Sequence, residues 1–405
     1  METGHIGRRI AYWRDRRGLT QTDFGRLMGQ TKRWVQDIEG GKRQSDPRLS
    51  VLVRAAEVLR IPLEQLLCDG PPAPKPGTLP PPEALRVVDA LYGAAPDDRP
   101  VQSSGVLRRR LAYCCEAFQA CHYAALGRDL PDLVLDAERA AHSAPAGETA
   151  AARALLSRVY QLVTSYLHKY GQATAVQAAP AADRALAAAE RSGDPVQIGA
   201  AARRITKSLV HQHRAQAAVD FATAAAGRLA ADLSARGPLG LSTLGMLYLS
   251  AALAASSQER TPARVRAVSD LVDEAGEVAN RQGGDRDEDW TQFGPTNVGL
   301  HRVDLLVRLE DGWSALEAAD ELAPEGISGL SRERTVGLHL SKARAALLTR
   351  RRQRAVSELL AADGLAPEEV AGRPDAVSLV KDVVRATANP SEELRALAER
   401  CGLRG

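Results

Sequence analysis

The chain has 405 residues, 44% hydrophobic and 25% charged, with a formal net charge of +3. That length exceeds one ordinary domain and anticipates two or more units, or a repeat array. Five cysteines at irregular spacing make no secreted disulfide framework, the N-terminus lacks a signal-peptide core, and no apolar run reads as long enough to span a bilayer, so a reduced cytoplasmic protein is expected, with no membrane partner.

Charge is uneven along the chain. Residues 1–68 carry 13 Lys and Arg against 8 Asp and Glu, a net of +5, and the rest is −2. The surplus sits where a phosphate-bearing partner would need it. Of the 53 basic residues 46 are Arg and seven are Lys, and Asn occurs three times. Such a bias follows from a GC-rich genome, so Arg clusters carry reduced weight.

The first informative stretch is Thr20 to Gly41. Thr20 caps a short helix with Asp23 three residues on. Phe24, Leu27 and Met28 form its apolar face, and Gly29 ends it. Thr31 caps a second helix with Val35, Ile38 and part of Trp34 inward and Lys32, Arg33, Gln36 and Asp37 outward. Two short helices around a glycine turn, the second offering long polar side chains near its N-terminus, describe a helix-turn-helix reader of the DNA major groove.

Through Ile6-Gly7, Arg14, Gly18-Leu19-Thr20-Gln21, Gly29, Thr31, Val35, Ile38-Glu39, Gly41 and Leu66-Leu67, residues 6–67 resemble the lambda-repressor-like helix-turn-helix regulators called the Xre family. The chain departs from that pattern at Gly25 and at the bulky Trp34. The resemblance implies five helices within residues 1–68, a structural ion pair between Arg14 and Glu39, and a DNA-binding set of Gln21, Thr31, Lys32, Arg33, Trp34, Gln36, Asp37, Lys42 and Arg43. In that family the outer positions of the second helix meet base edges, while Gln21, Lys42 and Arg43 sit where phosphates are held.

Residues 69–82 are rich in proline and form a semi-rigid linker. Residues 83–405 show no strand pattern. Apolar residues recur at helical spacing, as in Leu107, Leu111, Cys114, Phe118, Cys121 and Ala125, and breaks are expected at Gly127, Gly193-Asp-Pro195, Gly237-Pro238, Gly283-Gly284, Gly312 and Pro324. From Arg334 to Pro367 the order Ala343, Ala346, Ala355, Leu359, Ala362, Pro367 is similar to the tetratricopeptide pattern of about 34 residues. Weaker copies fall around Leu209 to Ala225 and Leu306 to Ala319. The fold class is therefore all-α, a five-helix DNA-binding domain followed by a tetratricopeptide-like solenoid with a concave groove.

No catalytic signature is present: no Gly-rich loop with Lys-Ser/Thr, no Gly-x-Ser-x-Gly, no His-Glu-x-x-His. No cofactor is implied, and an enzyme is not expected. Cys114, Cys115, Cys121 and His122 lack the paired spacing of a zinc site and are assigned to helix packing. His211 and His213 lie at a helix turn and do not share a face. The stretch Trp290 to His301 gathers Trp290, Phe293, Asn297 and His301 in a chain with 4% aromatics. Two roles are open for it: an inter-repeat plug, or a ligand-binding wall. Its Phe-Gly-Pro-Thr-Asn run is similar to stretches in actinobacterial regulators of this two-part layout.

These features describe a sequence-specific regulator that binds a double-stranded operator with an inverted repeat as a homodimer. Its repeats sense a small-molecule, peptide or protein effector and mediate dimerisation, a layout that resembles peptide-responsive quorum-sensing receptors. The alternative is a repeat scaffold whose N-terminal domain docks or dimerises. Long polar side chains on the second helix favour the regulator.

Overall fold

The computed structural model describes residues 4–40, 48–59, 61, 63, 66, 80–93 and 100–403. Their contacts divide the chain into two units, Met1–Lys75 and Pro76–Gly405. Among the described residues the regular structure is helical, with one isolated antiparallel bridge between Arg286 and Phe293.

In the first unit, α1 (Gly4–Arg16), α2 (Gln21–Met28), α3 (Lys32–Glu39) and α4 (Leu49–Leu59) pack Ile10, Phe24, Val35, Leu52 and Leu59 into one core. The caps are those the sequence specifies. Thr20 Oγ1 accepts from the Asp23 N–H at 3.1 Å, and Thr31 Oγ1 accepts from the Trp34 N–H at 3.2 Å. Gly29 ends α2 at φ 68°, in the left-handed region, and the Gln30 N–H reaches back to the Gly25 carbonyl at 2.7 Å. Leu27, expected on the inner face, is 48% exposed; Phe24, Gly25 and Met28 face the core instead. Of the expected fifth helix only Leu66 has a described side chain, and it is fully buried.

Two glycines set how tightly α3 is held. A Cβ on Gly7 would stand 2.1 Å from the Ile38 carbonyl oxygen, and one on Gly25 would stand 2.9 Å from that of Gln30. Both neighbours are backbone, so neither can swing aside. Gly25, a departure from the family pattern, thus lets the turn between α2 and α3 close against α2.

The second unit runs through α5 (Pro82–Tyr92), α6 (Ser104–Gln119), α7 (Tyr123–Ser143), α8 (Thr149–Leu167), α9 (Gln172–Ser192), α10 (Pro195–His211), α11 (Ala215–Ala235), α12 (Gly237–Ser256) and α13 (Pro262–Gln282). It continues with α14 (Pro295–Arg308), α15 (Gly312–Asp320), α16 (Pro324–Ser328), α17 (Arg332–Leu348), α18 (Arg352–Leu365), α19 (Pro367–Gly372), α20 (Pro374–Ala386) and α21 (Glu392–Arg400). Neighbours in sequence pack on one another. In the α17–α18 pair the small residues Ala343, Ala346, Ala355 and Ala362, with Leu359, are all fully buried, which brings the two axes close. Four hairpins share one turn. Cys121, His213, Glu310 and Arg350 each take φ near 60°, and the next residue's N–H returns to a carbonyl five positions back.

Two expectations fail here. Gly127 does not break a helix; α7 runs through it, and the glycine serves close packing instead, since the Tyr166 hydroxyl and Glu83 Cβ lie 2.3 and 2.6 Å from where its Cβ would be. And one helix, α12, is long and apolar enough to cross a membrane: it has 20 residues, with mean hydropathy 1.5 over an 18-residue window. Its apolarity has an internal cause: 78% of the apolar window is buried, between α11 and α13.

The array closes on itself. The late helices α17 to α21 share one hydrophobic core with α5 to α9. Glu368 of α19 accepts the N–H groups of Tyr123 and Ala124 at 2.9 and 3.2 Å, capping α7 from 245 residues away. At the same seam the buried Lys169 ammonium lies 2.7 Å from Glu333 and 3.0 Å from Glu369, and Arg373 holds Glu369 at 2.5 Å. Against burial, which would raise it, Lys169 and Arg334 hold the Glu333 carboxyl well below the usual range.

Candidate nucleic-acid interface and an internal cavity

The candidate reading surface is built on α3. Val35 and Ile38 turn inward, fully buried and 5% exposed, and Trp34 packs part of its ring on the same core. That orientation leaves Thr31, Lys32, Arg33 and Gln36 exposed on the other side, with Asp37 half-buried beside them. The donors needed for guanine edges and phosphates are therefore presented together at the N-terminal half of a capped helix. Gln21 is partly committed elsewhere: its amide donates to Glu39 Oε2 at 2.9 Å. Lys42 and Arg43 lie outside the described residues.

The helix carrying this surface is clamped at its far end. Arg14 Nε donates to Glu39 Oε1 at 2.6 Å and its Nη2 to Oε2 at 3.2 Å, a two-pronged pair with both side chains under 10% exposed. Arg14 also reaches the Leu19 carbonyl at 2.7 Å. One guanidinium thus ties α1, the turn before α2, and the end of α3.

The second unit holds a cavity, partly open to solvent, of about 460 Å³, a volume suited to a small molecule. The four residues singled out in the Trp290–His301 stretch divide between it and the core. Trp290 and His301 line it. Phe293 and Asn297 do not: both are fully buried in the wall behind. Phe293 fills the space above Gly245, and Asn297 Nδ2 donates to the Thr291 carbonyl at 3.1 Å, pinning the loop that carries Trp290. This loop is strained, with Asp289, Trp290 and Gln292 all at positive φ. It is held by the Asp289–Arg158 ion pair at 2.9 Å and by Ser331, whose N–H donates to Gln292 Oε1 at 2.9 Å.

Burial, with Arg334 nearby, lowers His301 to about 4 and so favours its neutral form. Its Nδ1 lies 2.9 Å from the Asn297 carbonyl, which can only accept, so Nδ1 carries the proton and Nε2 is left as an acceptor. His211, which also lines the cavity, is lowered to about 4 by burial and Lys207. His168 stacks on it at 4.6 Å. Cys114, Cys115 and Cys121 are buried, and burial pushes their thiols up to about 12, 11 and 12.

Sequence reasoning missed the cavity's cations, above all Arg203, Arg204 and Lys207 of α10. A signal was present. Arg203-Arg204-x-x-Lys207 interrupts a helix of small residues, and Lys207 is one of only seven lysines in an arginine-biased chain.

Comparison with known proteins bears on the first unit. Residues 5–67 match the family described as a helix-turn-helix domain, which spans all of the candidate DNA-binding residues. No curated protein matches the chain. The N-terminal unit is thus a helix-turn-helix domain, and a helical array follows it.

Proposed function

We propose that this protein is a sequence-specific transcriptional regulator of the Xre type, and not an enzyme. The observation that carries the proposal is the exposed set Lys32, Arg33 and Gln36 on a capped α3 within a matched helix-turn-helix domain. A docking module would more naturally present apolar side chains there. One small reader makes few phosphate contacts and alone would bind DNA in roughly the micromolar range or weaker. We therefore read the active species as a homodimer on an inverted repeat, its half-sites about one helical turn apart or a multiple of that.

The helical hairpins serve as a tetratricopeptide-like sensor for an effector. Their repeated turn and small-residue interfaces support this reading. An effector changes DNA binding only if it binds the DNA-competent arrangement with a different affinity. A coupling of about 1–3 kcal/mol would shift operator affinity some 5- to 150-fold. The test is selection of random duplexes on the purified full chain, followed by sedimentation free and on the selected DNA. Recovery of an inverted repeat bound by two chains is expected. No enriched sequence, or a monomer throughout, would overturn it.

A further inference from the structure

The cavity is lined by nine cationic side chains and four carboxylates. Most of the cations have partners: Arg158 has Asp289, Arg308 has Asp304 at 2.7 Å, Lys169 and Arg373 share Glu369, and Arg344 donates to the Asp375 carbonyl at 2.7 Å. Arg204 spends its Nε on the Gln161 carbonyl at 3.2 Å, and Arg334 lies 3.8 Å from Glu333 and donates to the Thr291 carbonyl at 3.4 Å. Two are left over. Among the described residues nothing reaches Arg203, whose Nε is buried without a hydrogen bond, and no hydrogen bond or ion pair forms at Lys207.

Both leftover charges line the cavity, Arg203 part-buried and Lys207 exposed to its open space. Ala200, the Arg203-Arg204 pair, Lys207 and His211 recur at three- and four-residue spacings, so a single stripe of α10 faces the cavity. Lys207 lines this cavity, and its exposed surface opens on it. Such a stripe is ordinarily apolar. A fold that aims a row of cations inward, with too few carboxylates to neutralise them, holds an unfavourable charge that a bound anion would relieve. The repulsion shows in the groups themselves. Burial lowers Lys207, with Lys169, Arg373 and Arg204 adding to the effect, and burial lowers Arg203, with Arg204, Arg334 and Arg158 adding to it.

We propose that this cavity binds a small organic polyanion, with its phosphate or carboxylate groups held by Arg203, Arg204 and Lys207 and by Arg158 and Arg334 of the neighbouring walls. Guanidinium forks suit either oxyanion, and two groups of cations along α10 call for at least two negative charges. Trp290, with Arg158 stacked 5.3 Å from its ring centre, and the apolar Leu300 and Leu338 give the organic body a wall. The volume fits a metabolite rather than a long peptide. This names the effector class of the sensor reading above and rests on it.

The test is thermal melting and calorimetric titration of the full chain with pyrophosphate and with citrate, against sodium chloride of equal ionic strength. Each polyanion at about 1 mM is expected to raise the melting temperature, and the stronger of the two tells phosphate from carboxylate. Arg203→Gln and Lys207→Met should each weaken binding at least about tenfold while melting no lower than wild type without ligand. A merely structural role would lower that melting temperature. Arg33→Ala should leave the response intact, which separates the cavity from the DNA-binding unit. The proposal is overturned if neither polyanion raises the melting temperature, if the two α10 variants respond as wild type does, or if a tetraglutamate peptide outbinds both. DNA selection on the same variants keeps the regulator reading separate: loss of the polyanion response with operator binding retained removes only the cavity ligand.

Discussion

Phe293 and Gly245 interlock. The tip of the Phe293 ring occupies the place of a side chain at position 245, with Cζ 1.9 Å from where a Cβ would stand. The ring is fully buried in the core that α12 shares with α13 and α14, and its carbonyl is fixed by Gln282 at 2.8 Å and Arg286 at 2.9 Å. Gly245→Ala should therefore expel the ring and destabilise the second unit by about 1–3 kcal/mol, and Phe293→Ala, which leaves a hole, by about 3–5 kcal/mol. Both variants should keep their response to polyanions, since neither residue lines the cavity. Denaturant unfolding beside the titration checks the two halves of this statement.

Breaking the Arg14–Glu39 pair should loosen the reading helix. Removing one member of a shielded pair costs about 3–5 kcal/mol. Glu39→Gln is expected at the low end, about 3 kcal/mol, because the exposed Asp15 still stands 2.6 Å from Arg14. Calorimetry of the full chain should show the transition of the first unit move down and that of the second stay. An unmoved first transition would refute the structural role of the pair.

Arg33 and Lys42 should fail differently on DNA. Arg33 is exposed on α3, where a fork to guanine discriminates by about 1–3 kcal/mol, so Arg33→Ala should relax sequence preference. Lys42, placed by the family resemblance at a phosphate, should when changed to Ala weaken operator and random DNA alike and flatten the salt dependence. Equal losses for both variants on both DNAs would sink the assignment.

Lys207 gives a pH signature without any ligand. Burial, then Lys169, Arg373 and Arg204, lower it from 10.5 to about 7. Between those values the unfolded chain holds a proton that the folded chain has released, so this group makes stability rise with pH. Below about pH 7 both states are protonated and the burial cost is carried in full. Lys207→Met should therefore stabilise the unliganded chain most near pH 6, on the order of 1 kcal/mol once water in the cavity is allowed for. The gain should shrink as pH climbs towards 10. Denaturant unfolding across that range reads the trend, and a gain that grows with pH would contradict it.

The first unit was legible because its signals are local. Thr20 and Thr31 cap within three residues, Gly29 stops a helix at its own position, and Arg14 and Glu39 carry a family pattern in the chain's order. Leu27 was misplaced because an eight-residue helix buries too narrow a stripe for spacing alone to fix its edges. The cavity was not legible for the opposite reason. Arg158, Arg203 and Arg334 come from three helices spread over 176 residues, and only closure of the array brings them together. The Arg bias of the chain then masked the one local clue on α10. Phe293 and Asn297 stand out in the sequence by rarity, yet rarity cannot tell a residue that faces a ligand from one that holds the loop behind it.

The seam between α7 and α19 has an evolutionary corollary. An open solenoid can gain or lose a hairpin at either end, because each repeat meets only its neighbours. Here the two ends meet each other: Glu368 reaches Tyr123, and Lys169 is held by Glu333 and Glu369. Duplicating or deleting one hairpin would part those groups and strand a buried ammonium. Adding or removing a hairpin should therefore cost this chain stability that an open solenoid would keep.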